Sequence, residues 1–234
     1  PAVTATLKKG SSLCSTMCRE FDGESDGRAC GYLRRLVDEI HTVVLATMGD
    51  DGYPRTCAVD MMLADRHGVY FLTARGKSLY SRLRATGRVS LTGVRGDTTM
   101  TSVAVTLIGD VEEVPERLGE LLEANPYMYR IYPTEESRRA LTAFRIVRGE
   151  GEFFDLSARP IVRDGFSFGG FGSGETGYSI TDACDGCGAC MESCPQSCID
   201  TSTVPFRIVQ ENCLRCGNCM ESCHKGAVSA GRLP

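Results

Sequence analysis

The stretch "HTVVLATMGDDGYPRTCAVDMML" (41–63) decides the architecture of the larger part of the chain. It holds two runs rich in Val, Thr, Leu and Ala, separated by the turn-forming residues "GDDG" (49–52). Branched side chains suit a pleated backbone, whereas Gly and Asp favour the tight reversals between strands. A β-hairpin is predicted, with one strand over 41–48 and its partner over 53–63.

Downstream the pattern repeats. "DRHG" (65–68) marks a turn and "VYFLT" (69–73) a strand. "GKSLYSRLRATG" (76–87) predicts a helix closed by Gly87. "RVSLTGV" (88–94) and "TTMTSVAVTLIGDVEEV" (98–114) add two strands, and "PERLGELLEANP" (115–126) opens a helix with Pro in its first turn. "TEESRRALTAFRIV" (134–147) predicts a further helix with Thr134 as N-cap, and "RGEGEFFDLS" (148–157) a last strand. Upstream, Leu33, Leu36, Val37 and Ile40 stand at helical spacing after Cys30. Six or so strands separated by turns, with a few short helices, predict a small antiparallel barrel with helices packed outside. Residues 165–177 carry six glycines; a coil of that length spans roughly 20 Å. Phe166, Phe168 and Phe171 imply that its first half packs on something. The expected organisation is a polar arm (1–29), a barrel (30–157), a Gly-rich linker (158–177) and a small domain (178–234).

With 234 residues and 42% hydrophobic content, the chain can bury one ordinary core and a small second one. The net charge of −4 comes from 26 basic and 30 acidic residues with no basic block, which argues against a nucleic-acid partner. No run of 18 apolar residues exists, and "PAVTATLKKGSSLC" (1–14) lacks the apolar stretch of a secretion signal. The expectation is a soluble protein. Nine of the 13 cysteines follow residue 183, a crowding unlike a disulfide framework. Such thiols persist where they stay reduced, so a cytoplasmic location is expected.

The crowding has a repeat in it. "CDGCGACMESCPQS" (184–197) and "CLRCGNCMESCHKG" (213–226) align at an offset of 29 residues, with "MESC" identical in both. Each reads C-x2-C-x2-C-x3-C. Three thiolates on one tight loop can grip one face of a cubane cluster, and the fourth points to the neighbouring cluster. Cys184, Cys187, Cys190 and Cys223 are therefore assigned to one 4Fe-4S cluster, and Cys213, Cys216, Cys219 and Cys194 to a second. Zinc sites usually show pairs of cysteines separated by longer loops, so zinc is disfavoured. This tail resembles the bacterial-type two-cluster ferredoxin domains over about 55 residues. It departs from them at His224, which replaces the Pro that the first repeat keeps at Pro195 and reads as a surface residue. Cys198, whose repeat mate is Ala227, reads as a buried small hydrophobe.

The front part carries a second resemblance. "LAT" (45–47), a turn, "G-x-P-R" (52–55), "YF-x-T-x-x-x-K" (70–77) and "RVSL" (88–91) resemble the FMN-binding split barrel of the pyridoxamine 5′-phosphate oxidase-like superfamily over residues 30–155. The fold class implied is a mainly β split barrel with flanking helices, beside a small α+β ferredoxin-like two-cluster domain. Thr73, Arg75, Lys77 and Ser78 sit at a strand-to-helix junction, and a helix N-terminus attracts anions. Lys77 and Ser78, joined by Arg55, are expected to cradle the FMN phosphate. By resemblance the strand from Arg55 through Thr56 and Cys57 to Asp60 lies along the flavin ring, and Thr73 touches the cofactor. Taken singly, Arg55, Arg75 and Lys77 read equally well as solvated charges. The resemblance also implies a homodimer with the flavin at its interface. The substrate-binding residues of the vitamin B6 oxidases are not evident. The chain also contains no Trp for the aromatic that the family usually places near the flavin.

Together these readings predict an iron–sulfur flavoprotein oxidoreductase. It would pass electrons between two 4Fe-4S clusters and FMN, and reduce or oxidise a small organic substrate. The alternative is a relay with no substrate of its own. An external carrier, ferredoxin-type or nicotinamide-linked, is expected as donor or acceptor, with no nucleic acid and no membrane. No catalytic acid stands out: Tyr53, His41 and His67 each read as structural or exposed. "PYMYRIYP" (126–133) reads as helix packing, with a pocket or dimer seam as the alternative. Cys14, Cys18, Cys30 and Cys57 complete no metal pattern and read as free thiols.

Overall fold

The computed structural model describes residues 24–172, 174 and 176–233. Helix α1 (Glu24–Arg35) runs on as one π-helical turn (Leu36–Ile40). Strands β1 (Thr42–Met48), β2 (Pro54–Asp60), β3 (Leu63–Asp65) and β4 (Gly68–Ala74) follow, then α2 (Ser78–Thr86), β5 (Arg88–Arg95) and β6 (Val103–Glu113). Three short helices, α3 (Leu118–Ala124), α4 (Met128–Ile131) and α5 (Glu135–Arg138), precede the long β7 (Leu141–Asp155) and β8 (Val162–Phe168). These strands make one antiparallel sheet in the order β2-β1-β5-β6-β7-β4-β3, with β8 also paired to β7. The fold is the curled split barrel with flanking helices that the sequence led us to expect.

The hairpin at its origin has the predicted form: Thr42 to Met48 pair in register with Asp60 to Pro54. β1 and β5 alternate between exposed and buried residues, with Val43, Leu45, Val89 and Leu91 facing the barrel core. β4 is different. Val69 and Phe71 enter the barrel core, while Tyr70 enters a second core made with α3 and α4. Burial on both faces explains the unbroken apolar run "VYFLT". α2 ends at Gly87, whose φ of 61° is the left-handed C-terminal turn that glycine permits.

Five expectations need correction. The helix predicted over 134–147 is a single turn, Glu135–Arg138, capped by Thr134, whose hydroxyl accepts from the Ser137 N–H at 3.1 Å. "LTAFRIV" instead starts β7, because its residues are needed on both faces of the sheet; Leu141 to Phe144 are all buried. The predicted arm 1–29 contains the start of α1, since Ala29 shares the buried face of Leu33 and Leu36. The predicted linker 158–177 contains β8, whose Phe166 and Phe168 are 7% exposed and belong to the barrel core. The strand expected from residue 98 starts at Val103, after a short 3-10 turn. Cys30, read as a free thiol, is held in a disulfide, whereas Cys57 is free. Cys14 and Cys18 lie outside the described residues.

The tail is a small α+β unit. β9 (Thr176–Ile180) pairs with β12 (Val228–Arg232), and β10 (Ile199–Asp200) with β11 (Arg207–Ile208). One-turn helices α6 (Ala189–Glu192) and α7 (Asn218–Glu221) occupy equivalent places in the two repeats. No described helix is long and apolar enough to cross a membrane.

Candidate functional sites

Two cavities lie inside the tail. One is lined by Cys184, Cys187, Cys190 and Cys223, closed by Ile180 and Phe206. The other is lined by Cys194, Cys213, Cys216 and Cys219 together with Cys198, closed by Ile199 and Ile208. The first draws three thiols from one repeat and one from the other; the second brings together the four thiols assigned to it from the spacing and adds Cys198 as a fifth. The local cause is shared. The chain turns through left-handed positions at Gly186 and Gly188, or Arg215 and Gly217, and the one-turn helix carries Cys190 or Cys219 inward. Backbone N–H groups point at the sulfurs: Arg215 donates to Cys213 Sγ and Ala227 to Cys223 Sγ, both at 3.3 Å. Four soft thiols, apolar walls and amide donors to sulfur are the donor set of an iron–sulfur cluster, so these residues fit the group.

Cys198 is itself part of the second cavity's lining, 5% exposed, with its Sγ 3.5 Å from Cys194 Sγ. Burial first, and then Cys194 alongside, push its thiol up, so it stays protonated. His224 is exposed. Its Nδ1 is 3.9 Å from Cys187 Sγ and its Nε2 3.8 Å from Asp185, making an exposed group of three.

In the barrel a cleft of about 540 Å³ opens between β2, β4, α2 and α4. Of the residues expected around a cofactor, Thr56, Cys57, Thr73, Lys77 and Ser78 line it. Arg55 lines an adjoining groove of about 580 Å³ that shares Ser78 and Arg82 with the cleft, and it is ion-paired with Asp51. Arg75 does not join them. Its guanidinium turns away to the Arg139 carbonyl at 2.9 Å and to Glu113 at 4.0 Å, where its backbone N–H still pairs with the Ala140 carbonyl just before β7 begins. Arg82 was missed. It stands one helical turn after Ser78, and that i,i+4 spacing was the available signal. Its Nε donates to Thr47 Oγ1 at 2.7 Å, which holds the guanidinium over the cleft.

Thr73 supplies the test of fit. It is 3% exposed, and its Oγ1 finds no hydrogen-bond partner among the described residues. An orphaned buried hydroxyl costs about 1–3 kcal/mol, so a bound polar group is the expected partner. Lys77, Ser78 and Arg82 at the start of α2 suit an anionic end of such a group, with the helix N-terminus adding its own partial charge. The Cys57 thiol is pushed up by burial, with Arg82 and Lys77 pulling the other way.

A second missed feature is at the far end of β2. Tyr127 donates to Asp60 Oδ2 at 2.8 Å, Thr42 donates to Asp60 Oδ1 at 2.7 Å, and His41 Nε2 is 3.6 Å from Asp60 Oδ2. Burial and then Asp60 hold the Tyr127 phenol protonated. Tyr127 and Tyr132 of the aromatic segment line the cleft, while Tyr129 is exposed beneath Arg138.

The family model described as pyridoxamine 5′-phosphate oxidase matches residues 32–153, and a 4Fe-4S dicluster domain matches residues 177–224. Among solved structures, the chain is similar to a nimC/nimA family protein from Clostridium acetobutylicum, with 18% identity, 62% of this chain and 93% of that one covered, and a TM-score of 0.49. It is also similar to a pyridoxamine 5′-phosphate oxidase-related, FMN binding protein from Nostoc punctiforme, with 13% identity, coverage of 62% and 95%, and a TM-score of 0.42. A conserved hypothetical protein from Mycobacterium tuberculosis shares 26% identity over 55% of this chain and 83% of its own, with a TM-score of 0.41. No curated protein matches the chain. With more than half of its residues inside the family model, the chain belongs to the pyridoxamine 5′-phosphate oxidase family, its split barrel fused to a 4Fe-4S dicluster domain.

Proposed function

We propose that the chain is an iron–sulfur flavoprotein oxidoreductase. In this reading FMN occupies the cleft between β2, β4 and α2, and two 4Fe-4S clusters occupy the cysteine cavities. Electrons pass between them to reduce or oxidise a small organic substrate. The observation that carries the flavin is the Thr73 hydroxyl, without a partner among the described residues and buried in a cleft whose other end gathers Lys77, Ser78 and Arg82. When bound, FMN exchanges electrons singly or in pairs, whereas the clusters carry one at a time.

The residues divide the work of binding. Lys77, Ser78 and Arg82 would hold the phosphate, with Arg55 in the adjoining groove. Thr73 and the strand from Thr56 to Asp60 would meet the ring. Met62, Leu72 and Leu141 keep one wall of the cleft dry. The Tyr127–Asp60 pair holds a proton at the phenol oxygen on the cleft wall, beside His41. A homodimer belongs to the same proposal: Val44, Val94 and Ile108 stand 55%, 58% and 46% exposed on the outer face of β1, β5 and β6, where a second copy would cover them. So do the cytoplasmic location and an external one-electron carrier.

The test is an anaerobic preparation, expected to hold about eight iron atoms per chain and a yellow, extractable flavin. Iron without flavin, and no uptake of added FMN, would refute the reading. Lys77→Ala should weaken FMN binding by roughly tenfold or more, the scale of one charge-assisted hydrogen bond. Reoxidation of the reduced protein by one class of small electrophile, with turnover, supports the enzyme. Reoxidation by protein acceptors alone supports a relay.

A further inference from the structure

The two cysteine repeats share their spacing but not their surroundings. Cys213 is 6% exposed and Leu214 half-buried, while their repeat mates Cys184 and Asp185 are half-buried and exposed. The barrel makes the difference. Arg163 of β8 donates Nε to the Cys213 carbonyl at 3.0 Å and Nη1 to Glu152 at 2.5 Å, and its guanidinium lies 4.4 Å above the Phe154 ring. The other Glu152 oxygen takes Arg215 Nη1 at 2.8 Å. Asn212 donates to the Ile161 carbonyl at 2.8 Å. All three guanidinium and carboxylate groups are mostly buried, with side-chain exposures of 12% for Arg163, 20% for Arg215 and 26% for Glu152.

The backbone of Arg215 adds an independent observation. Its φ is 57°, at the position where the first repeat has Gly186 with a φ of 75°. An arginine pays conformational energy in this region that glycine does not. What the side chain gains there is its ion pair with Glu152 on β7.

We infer that the tail docks with one polarity: Glu152 clamps the second repeat to the barrel through Arg163 and Arg215, and the first repeat is the port where an external one-electron carrier protein exchanges electrons. Cys187 and its mate Cys216 are both exposed, as are Asp182 and Glu211, so the asymmetry lies at the first cysteine of each loop. Cys184 is half-buried behind an exposed Asp185, whereas Cys213 is buried behind Leu214 and the Arg163 contact, and a partner can approach the first repeat more closely there. Each encounter oxidises the carrier by one electron and reduces the chain by one. Two encounters supply the pair that a two-electron reduction needs. The electron flow rests on the proposed function; the docking does not.

Hydrogen exchange on the holoprotein tests the docking without any flavin readout. Amides of 212–216 should exchange about tenfold more slowly than those of 183–187. Glu152→Gln should remove that difference with iron content kept. Arg215→Asn, whose residue tolerates the left-handed backbone, serves as a second variant if the first does not fold. Equal exchange of the two loops in the wild type, or acceleration confined to 183–187, would overturn the polarity. For the port, a reduced acidic ferredoxin is mixed with the protein and cluster bleaching is followed. Asp182→Lys should speed the reaction roughly threefold, and Glu211→Lys, its repeat mate, should leave it unchanged. The reverse pattern overturns the port. A protein that shows the exchange difference but binds no flavin refutes the proposed function alone.

Discussion

At the left-handed position of its cysteine loop the first repeat has Gly186, and the second has Arg215. Before it stand Asp185 in one loop, exposed, and Leu214 in the other, half-buried. Three and four residues after the shared "MESC", Gly226 and Ala227 stand in the second repeat where Ser197 and Cys198 stand in the first. The duplication makes each pair its own control. Spacing and backbone path are shared, so the side chains that differ mark what one loop does and the other does not. The second loop contacts the barrel through Arg163, Glu152 and Asn212, and the first meets solvent.

The comparison breaks most readily at the thiols. Cys219→Ala should remove about four of eight irons and leave the first cavity's signal, and Cys190→Ala should do the reverse; iron analysis and electron paramagnetic resonance of the reduced protein decide it. Loss of all iron from either variant would mean that the two cavities do not fill independently.

A smaller effect is expected at the left-handed position. Gly186→Ala places a Cβ 2.9 Å from Val204 Cγ2 on a backbone with φ of 75°, and should destabilise the tail by about 1–2 kcal/mol. Arg215→Gly relieves backbone strain of similar size but removes the ion pair, so its net change should stay within about 1 kcal/mol. Denaturant midpoints measure both. A large loss from Arg215→Gly with an unchanged exchange pattern would separate the ion pair from the docking.

The smallest effect is at Cys198. Cys198→Ala restores the residue of the other repeat and should cost about 0.5–1.5 kcal/mol with iron content unchanged. If the second cavity loses iron, Cys198 is a ligand rather than packing.

Some of the fold was legible for plain reasons. The hairpin of β1 and β2, the helix closed by Gly87 and the N-cap at Thr134, though not the length of the helix it starts, depend on neighbours in the chain, and local chemistry wrote them there. The long β7 was not legible. Leu141 to Val147 carry an apolar pattern that serves a helix or a doubly buried strand, and only pairing with β4 and β6 chooses. β8 was hidden for a related reason, since its glycine-rich neighbourhood masks Phe166 and Phe168 until Gly149–Asp155 stand beside them. In the cleft, Lys77 and Ser78 were legible as a helix start, whereas Arg75 and Arg82 were not distinguishable until the path of β4 and α2 sent one away and the other inward.

Spacing alone grouped Cys184, Cys187, Cys190 and Cys223, and Cys213, Cys216, Cys219 and Cys194, as the structure places them, because loop closure over two and three residues leaves a cysteine little freedom in where it points; that Cys198 joins the second cavity was not in the spacing. Sequence alone also determined that the front half is an antiparallel barrel, because alternation and turn residues act over a few positions. Only the tertiary structure decided which repeat faces the barrel, and that Thr73 is buried with no partner among the described residues. Both depend on residues more than fifty positions apart, Glu152 with Arg215 in one case and Thr73 of β4 with Met128 of α4 across the cleft in the other, and no local pattern records such a meeting.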